Sequence, residues 1–196
     1  MKTFNVSLVG VGGQGIILTA DLLAKTAAQS GLDVKKSEIH GMAQRGGSVI
    51  SQVRFGSDVA SPIIQEGTSD ILVSFDKLEA LRWAHLLAKD ATALVNDLYL
   101  VPVTVSSGQQ PAVDDLDGKV KKISSKLVLV DAMKIATEEV GNARTMNMVL
   151  AGALSVLTPF KESQWMKALE ELLSGPKAKL LEVNRKAFQL GRAAAS

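Results

Sequence analysis

The chain has 196 residues, of which 46% are hydrophobic and 21% are charged, and its formal net charge is only +2. This length and composition predict one domain with a small appendage and give no case for nucleic-acid binding, which needs a basic patch. The chain contains no cysteine, which excludes disulfides, a thiolate nucleophile and a cysteine-ligated iron–sulfur cluster, and its two histidines are too few for a usual zinc site.

Neither a membrane span nor a signal peptide is recognisable in the sequence. No apolar run reaches the roughly 18 residues that a transmembrane helix needs, and the first residues, MKTFNVSLVG, do not resemble a secretory signal. We therefore expect a cytoplasmic protein without a membrane partner.

The first predicted strand leads directly into a glycine-rich loop. The apolar run Val6–Val9 is followed by four glycines between positions 10 and 15, and then by apolar residues at helical spacing as far as Ser30. Strand, glycine loop and helix is the order of a nucleotide-phosphate cradle, in which the N–H groups at the helix N-terminus bind the anion. The same order also arises where a strand turns sharply into a tightly packed helix, so both interpretations stay open.

The acidic residue that usually binds a ribose 2′-hydroxyl, about 20 residues beyond such a loop, is missing. Lys35 and Lys36 stand there instead, with Glu38 just beyond. The two lysines would suit a phosphate, or they are solvated residues of a strand edge. Residues Leu32–Ile39 are predicted to form the second strand, parallel to the first and joined to it by a right-handed crossover.

The least ordinary stretch is Ser37–Gly47, SEIHGMAQRGG, which combines a carboxylate, an imidazole, an amide, a guanidinium and three glycines. It follows a predicted strand, where open α/β sheets place their ligand crevices. A polar, glycine-rich loop favours a binding site or a contact surface. The alternative is a surface loop in which His40 is a structural histidine and Arg45 forms a salt bridge.

The next segment, Ser48–Phe55, alternates apolar and polar residues and is predicted as a strand. No room remains before it for a crossover helix, so it should run antiparallel to a neighbour and make the sheet mixed. Three more strands are predicted after it, at Asp70–Phe75, Ala91–Val95 and Lys126–Val130. Two helices with aspartate N-caps are predicted at Asp76–Leu87 and Asp131–Val140.

Three segments complete the prediction. Ser106–Gly118 is predicted as an exposed, mobile loop. Thr145–Leu157 is apolar nearly all round, which indicates either the core helix or an oligomer interface, and Asn147 within it needs a partner if buried. Two further helices are predicted at Ser163–Leu173 and Lys179–Leu190.

The elements together predict an α/β fold. We expect a three-layer α/β/α Rossmann-like domain with a mixed, mainly parallel sheet over residues 1–160, and a C-terminal helical extension over residues 161–196 that packs on it. No catalytic constellation is recognisable: there is no nucleophile elbow, no Walker loop with its lysine, and no Gly-Asp-Gly thiamine diphosphate signature. If the chain belongs to an enzyme, another chain should carry the reaction.

Two motifs resemble a known family. GVGGQG at residues 10–15, coupled to KKSEIHGMAQRGGSVISQVRFG at residues 35–56, resembles the gamma-type subunits and domains of 2-oxoacid:ferredoxin oxidoreductases. Within that family the chain is most similar to the small (beta) subunits of indolepyruvate:ferredoxin oxidoreductases. The resemblance covers Phe4–Leu157, and the segment at residues 147–152 also contributes to it.

The resemblance implies an accessory subunit that is inactive by itself. A large partner subunit would hold thiamine diphosphate and 4Fe–4S clusters, oxidise a 2-oxoacid to an acyl-CoA and pass electrons to ferredoxin. The present chain would contribute no catalytic residue and no metal ligand, and its two loops would face coenzyme A or the partner. The isolated subunit could form a homodimer. The implied site residues are Gly10, Gly12, Gly13, Gln14, Gly15, Ser37, His40, Gln44, Arg45, Gly46 and Gly47.

Two other functions remain open at this point. The glycine loop also fits a free-standing NAD(P)-dependent dehydrogenase, although the acidic ribose ligand and a convincing catalytic lysine or tyrosine are missing. A non-catalytic scaffold protein could also use this fold, because a fold alone does not fix a function.

Overall fold

A computed structural model describes residues 1–40 and 47–196, with only the backbone of His40. Six strands form a single sheet: β1 (Phe4–Val11), β2 (Asp33–His40), β3 (Ser48–Gly56), β4 (Ser69–Ser74), β5 (Leu87–Asn96) and β6 (Lys126–Val130). Eight α-helical segments accompany them in the described residues: α1 (Ile16–Gln29), α2 (Lys77–Trp83), α3 (Val103–Ser106), α4 (Leu116–Val120), α5 (Ala132–Lys134), α6 (Met146–Val156), α7 (Glu162–Leu172) and α8 (Leu181–Ala195).

The sheet is mixed and mainly parallel, as predicted. The strand order is β2-β3-β1-β4-β5-β6, and β4, β5 and β6 follow β1 in parallel. Strand β3 is antiparallel to both of its neighbours, because the short stretch 41–47 cannot hold a crossover helix. Strand β2 therefore runs in the direction of β1, as expected, but β3 separates the two strands.

The helices cover both faces of the sheet, which confirms the predicted α/β class. Side chains alternate along β1, so that Val6 and Leu8 pack into a large core with α1, α6, α7 and α8. Val9 points the other way and packs against Leu72 and Leu86, while residues of α2 and α4 pack against β5 on that second face.

Helix α6 is the core helix. All of its residues from Met146 to Ser155 are buried, so the apolar segment packs within this chain. Its nearest helix is α8, and glycines allow their backbones to meet: a Cβ atom at Gly152 would lie 1.9 Å from the Phe188 carbonyl oxygen, and one at Gly191 would lie 1.9 Å from the Val149 carbonyl oxygen.

A row of aromatic rings joins the sheet to the last two helices. Phe55 lies between Phe4 and Phe160 with ring centroids 5.2 and 5.0 Å apart, and Trp165 of α7 contacts Phe188 of α8 at 5.8 Å. Trp165 is fully buried, and its indole N–H has no hydrogen-bond partner among the described residues. Helices α7 and α8 thus contribute to the same core as residues 1–160, although the division of the chain at residue 160 stays a prediction.

Several predicted boundaries differ from the structure. The predicted helix Asp76–Leu87 ends as α2 at Trp83, and a 3₁₀ turn, Ala84–Leu86, leads into β5, which starts early because Leu87 pairs with Ser69. The predicted helix Asp131–Val140 is the short α5 followed by a π-helical turn, Ile135–Glu139.

The predicted loop Ser106–Gly118 overlaps two short helices. It contains the end of α3 and the start of α4, and the Asp117 carboxylate binds the Lys77 ammonium at 2.8 Å. Across residues 1–40 and 47–196, no helix combines the length and apolar character needed to cross a membrane.

Candidate functional site

At the carboxyl ends of β1 and β4, the chain leaves the sheet towards opposite faces. From β1 the chain continues into α1 on one face of the sheet, and from β4 it continues into α2 on the other face. In open α/β sheets such a topological switch point opens a crevice between the two connections, which is where ligands bind. The glycine loop lies at this edge.

Two glycines of the loop are required by packing. A Cβ atom at Gly10 would lie 2.8 Å from the Phe75 Cβ, and one at Gly15 would lie 2.6 Å from the Asn147 Nδ2. Gly15 also has a φ of +86° and occupies the N-cap position of α1 without a capping side chain. These positions therefore bring the loop close to β4 and α6, which explains why the sequence has glycine there.

Gly13 differs from its neighbours because nothing crowds it. Its φ is +105°, and a Cβ atom there would meet no atom of another described residue within 4 Å, apart from its chain neighbours. The first N–H groups of α1 follow directly and have no acceptor within the helix. This part of the loop presents accessible backbone donors next to a helix N-terminus, an arrangement that favours an anionic ligand.

The Gln14 side chain closes the loop. Its Oε1 accepts a hydrogen bond from the Val11 N–H at 2.6 Å, and its Nε2 donates to the Phe75 carbonyl at 3.1 Å. Because both ends of the amide bind backbone groups, Gln14 fixes the shape of the loop. A direct contact of Gln14 with a ligand stays a prediction.

The second predicted motif reaches the same edge. Strands β2 and β3 pair up to His40 and Val49, so the stretch between them leaves the sheet at the edge where β1 ends. The Gly47 carbonyl accepts a hydrogen bond from the Gly12 N–H at 2.9 Å, which joins the two motifs directly. Ser37 lies further back, inside β2, opposite Gln52.

Part of the second motif cannot be placed. Gln44, Arg45 and Gly46 lie outside the described residues, as does the side chain of His40. Their predicted contacts with a ligand or partner stay predictions. The structure brings together Gly10–Gly15 and Gly47 from the predicted set.

A buried carboxylate that the sequence did not single out supports Gly47. Glu79 of α2 is only 3% exposed and accepts a hydrogen bond from the Ser48 hydroxyl, directly after Gly47. The Trp83 Nε1 lies 3.2 Å from the Ser48 Oγ and 3.3 Å from the Glu79 Oε2, and the Arg82 Nη1 lies 2.5 Å from the Glu79 Oε1. This Glu79 cluster anchors the start of β3 to α2.

Asp76 gave the only sequence signal for the Glu79 cluster. The predicted N-cap is confirmed, because the Asp76 carboxylate accepts hydrogen bonds from the Leu78 N–H at 2.8 Å and the Glu79 N–H at 3.2 Å. Asp76 and Glu79 have the spacing of a capping box, in which the glutamate would fold back on the cap residue. In the structure Glu79 instead extends towards Ser48.

The two lysines of β2 are held by carboxylates. The Lys36 ammonium binds Asp21 of α1 and Glu38, and the Lys35 ammonium binds Asp33 at 2.8 Å. Burial lowers the pKa of Lys36, but the hydrogen bonds to Asp21 and Glu38 together outweigh it and raise the pKa above its usual value. The hydrogen bond from Lys35 is the largest cause of a lowered pKa at Asp33. The structure thus favours the strand-edge interpretation of these lysines.

Two depressions flank the edge. One has a volume of about 430 Å³ and lies on the α1 side, lined mainly by the glycine loop, the first turn of α1 and Val49. The other has a volume of about 310 Å³ and lies on the α2 side, lined by Gly47, Ser48, Glu79 and the chain after β5. Among the described residues no group of three or more acidic or histidine side chains could hold a metal ion. The arrangement offers backbone donors and apolar walls, which suits binding of a ligand.

Comparison with known proteins decides the family. The family model described as pyruvate ferredoxin/flavodoxin oxidoreductase matches residues 5–194. The chain belongs to this family. The indolepyruvate oxidoreductase subunit IorB of Pyrococcus horikoshii is 41% identical over 199 aligned residues, covering 100% of this chain and 97% of the relative. The predicted resemblance, and the assignment as a small subunit of a 2-oxoacid:ferredoxin oxidoreductase, are confirmed.

Solved structures agree on the fold. The gamma subunit of a keto/oxoacid ferredoxin oxidoreductase from Geobacter sulfurreducens superposes with a TM-score of 0.72 at 24% identity, covering 98% of both chains. A 2-oxoglutarate:ferredoxin oxidoreductase from Magnetococcus marinus, solved with coenzyme A bound, gives a TM-score of 0.75 at 23% identity. The present chain matches 100% of its own length but only 31% of that longer chain.

Proposed function

We propose that this subunit serves an enzyme that oxidises an aryl 2-oxoacid, indolepyruvate, to its acyl-CoA, and that the glycine-loop edge of the sheet binds coenzyme A. The 41% identity to an indolepyruvate oxidoreductase subunit supports the substrate. The hydrogen bond from the Gly12 N–H to the Gly47 carbonyl supports the site most directly, because it assembles both motifs at the switch point.

The residues at this edge fit parts of coenzyme A. The accessible backbone at Gly13 and the first N–H groups of α1 can donate hydrogen bonds to a phosphate oxygen. Ile16, Ile17 and Val49 line the adjacent depression and can contact the pantetheine arm. Lys36 is held by two carboxylates, so the phosphate contacts are assigned to backbone N–H groups and to Arg45, a predicted contact outside the described residues.

The redox cofactors are assigned to a larger partner subunit. Iron–sulfur clusters are held mainly by cysteine thiolates, and this chain contains no cysteine. Thiamine diphosphate and the 4Fe–4S clusters would therefore lie on the partner, which would reduce ferredoxin. The isolated chain is expected to show no turnover.

A pair of glycine variants tests the site. Gly13 and Gly31 both have a positive φ, +105° and +81°, and among residues 1–40 and 47–196 a Cβ atom at either meets nothing within 4 Å beyond its chain neighbours. Gly13→Ala and Gly31→Ala therefore introduce similar backbone strain, but only Gly13→Ala places a methyl group where coenzyme A would approach. In the enzyme assembled with its large subunit, we expect Gly13→Ala to raise the KM for coenzyme A about tenfold or more, with little change in the KM for the oxoacid.

Gly31→Ala is the matched control, because Gly31 lies at the far end of α1. Its kinetic constants should stay within about twofold of the unaltered enzyme. Equal effects of the two variants on the KM for coenzyme A would refute the proposed site. Turnover of indolepyruvate by the chain without any partner would refute the accessory role.

The dehydrogenase alternative is disfavoured by the sheet order. In a dinucleotide-binding domain, the strand after the first helix lies next to β1 and its end reaches the ribose. Here β3 lies between β1 and β2, which moves the end of β2 about 10 Å away from β1. Titration with NADH and NADPH, followed by the fluorescence of Trp83 beside the crevice, tests this alternative directly, and saturable micromolar binding would support it.

A further inference from the structure

The connection after β5 is an unusually apolar surface segment. Residues 98–113 contain no aspartate, glutamate, lysine or arginine over sixteen positions, and we call them the uncharged segment. Four of its large apolar side chains are exposed: Leu100 is 41% exposed, Val101 54%, Val103 80% and Val113 37%. Contiguous exposed apolar residues of this kind mark an interaction site more often than a free surface.

Backbone hydrogen bonds hold the uncharged segment in position. The Leu100 N–H donates to the Asp76 Oδ2 at 2.7 Å, and the Leu98 carbonyl accepts from the Lys77 N–H at 2.8 Å. Further along, α3 begins at Val103. The apolar side chains are therefore presented on a fixed backbone, which lowers the entropic cost of binding a partner.

The uncharged segment borders the proposed coenzyme A site. Leu100, Pro102 and Val103 form one wall of the depression on the α2 side, and Gly47 and Ser48 form part of the opposite wall. The same edge carries further exposed apolar side chains on β2 and α1, Ile39 at 55% and Ile17 at 36%. Exposed apolar side chains therefore occur on several elements around the edge that holds the glycine loop.

We propose that the uncharged segment is a docking surface for the large subunit of the same enzyme. This inference rests on the proposed function, because a thiol of coenzyme A bound at this edge must reach the reaction centre of the partner. The edge that binds coenzyme A must then face the partner. The cores of protein interfaces are depleted in charge, which matches the composition of the uncharged segment.

Relatives that match this chain over most of their own length are named as oxidoreductase subunits, which favours another subunit as the occupant. Such a partner has to be contacted across a surface of this subunit. An exposed apolar segment beside the switch point is the surface that the structure offers for it.

An exposed isoleucine at the opposite edge provides the control. Ile63 is 50% exposed, and polar residues surround it in a cavity that includes Lys2, Thr3 and Gln65. A single exposed apolar side chain in a polar setting is ordinary for a protein surface. The same substitution at Ile63 and Val103 therefore separates an interface effect from a general effect of added charge.

The test compares Val103→Glu with Ile63→Glu after co-expression with the large subunit. A charge buried in an interface core is costly, so Val103→Glu should weaken the affinity for the large subunit by about tenfold or more. Ile63→Glu should change the affinity by less than about twofold. Thermal unfolding of each purified variant verifies that the fold is intact, and Val101→Glu serves as a second variant of the same surface.

Three outcomes would overturn the inference. The first is assembly of Val103→Glu and Val101→Glu with unaltered affinity, and the second is an equal loss for Ile63→Glu. The third is loss of self-association of the isolated chain while the complex with the large subunit stays intact, which would assign the surface to a second copy. Failure of the unaltered chain to bind the large subunit at all would instead refute the proposed function as well.

Discussion

The two faces of the sheet are built differently. The face covered by α1, α6, α7 and α8 carries the larger core, with a helix buried throughout and a row of aromatic rings. The face covered by α2 and α4 has two smaller apolar clusters, and polar contacts such as the Glu79 cluster complete its packing. The first face holds most of the apolar packing, whereas the second face and the adjoining edge carry the Glu79 cluster and the uncharged segment.

This contrast predicts that one face mainly determines stability and that the other mainly determines ligand binding. Changes in α6, α7 and α8 away from the glycine loop should lower the free energy of unfolding without changing ligand affinity in molecules that still fold. Changes on the α2 side should lower the free energy of unfolding by less, but they should change ligand binding at the edge that holds the glycine loop. The three predictions below examine this division, beginning with the largest expected effect.

The largest effect is expected where α6 meets α8. Gly191→Ala places a methyl group 1.9 Å from the Val149 carbonyl oxygen, which is backbone and cannot rotate away. Overpacking of this kind costs about 3 kcal/mol or more, because the two helices must move apart. Urea unfolding of the isolated chain measures the loss.

Gln189→Ala, an exposed substitution on the same helix, is the control and should change the free energy of unfolding by less than about 0.5 kcal/mol. An unchanged stability for Gly191→Ala would mean that the helices do not approach as closely as described. The packing of α6 against α8 would then contribute less to the free energy of unfolding than we expect.

An intermediate effect is expected for the Glu79 cluster. Glu79→Ala removes the acceptor of the half-buried Ser48 hydroxyl and the ion-pair partner of Arg82, while the Trp83 indole N–H keeps the Ser48 Oγ as an acceptor. The loss should be about 1–3 kcal/mol, and Glu79→Gln, which keeps an acceptor oxygen, should lose less. In the assembled enzyme Glu79→Ala should also raise the KM for coenzyme A, because Ser48 adjoins Gly47. A loss of stability without any kinetic change would separate the cluster from the proposed site.

The smallest effect is expected for the ion pairs that tie α2 to α4. The hydrogen bond from Lys77 lowers the pKa of Asp117, and the contacts with Asp117 and Asp97 raise the pKa of Lys77. A lowered carboxylate pKa contributes stability at neutral pH that is lost as the pH falls below about 4. Lys77→Met should therefore be less stable than the unaltered chain at pH 7, and the difference should shrink in acid.

Urea unfolding at several pH values checks this prediction. Lys89→Met is the control, because Lys89 is exposed and has no ion pair among the described residues. A Lys77→Met difference that stays constant from pH 7 to pH 3 would show that packing of the lysine stem, rather than its charge, stabilises α2.

Most of the secondary structure could be predicted from local patterns. The six strands follow from apolar runs and alternation, and aspartate caps located α2 and α5. The place of β3 between β1 and β2 could not be predicted, because it depends on which neighbour the antiparallel strand joins. The close approach of α6 and α8 at Gly152 and Gly191 was also missed, because no local pattern reveals which helices pair.

The sequence predicted the motifs of the candidate site, but it did not predict the side chains that hold these motifs in place. The glycine loop and Gly47 were found because glycine clusters are visible in a sequence. Glu79 lies 31 positions from Ser48, and nothing near either residue indicates that they meet. Gln14 was predicted to bind the ligand because it lies in the middle of the glycine motif. In the structure its side chain binds backbone groups and closes the loop.

The pairing of α6 with α8 has a consequence during protein synthesis. Helix α8 is translated about 25 residues after α6, so the apolar surface of α6 stays uncovered until α8 has left the ribosome. Nascent chains that stop before residue 181 would expose that surface to chaperones and proteases. We therefore expect α6 to complete its packing only after α8 has been synthesised.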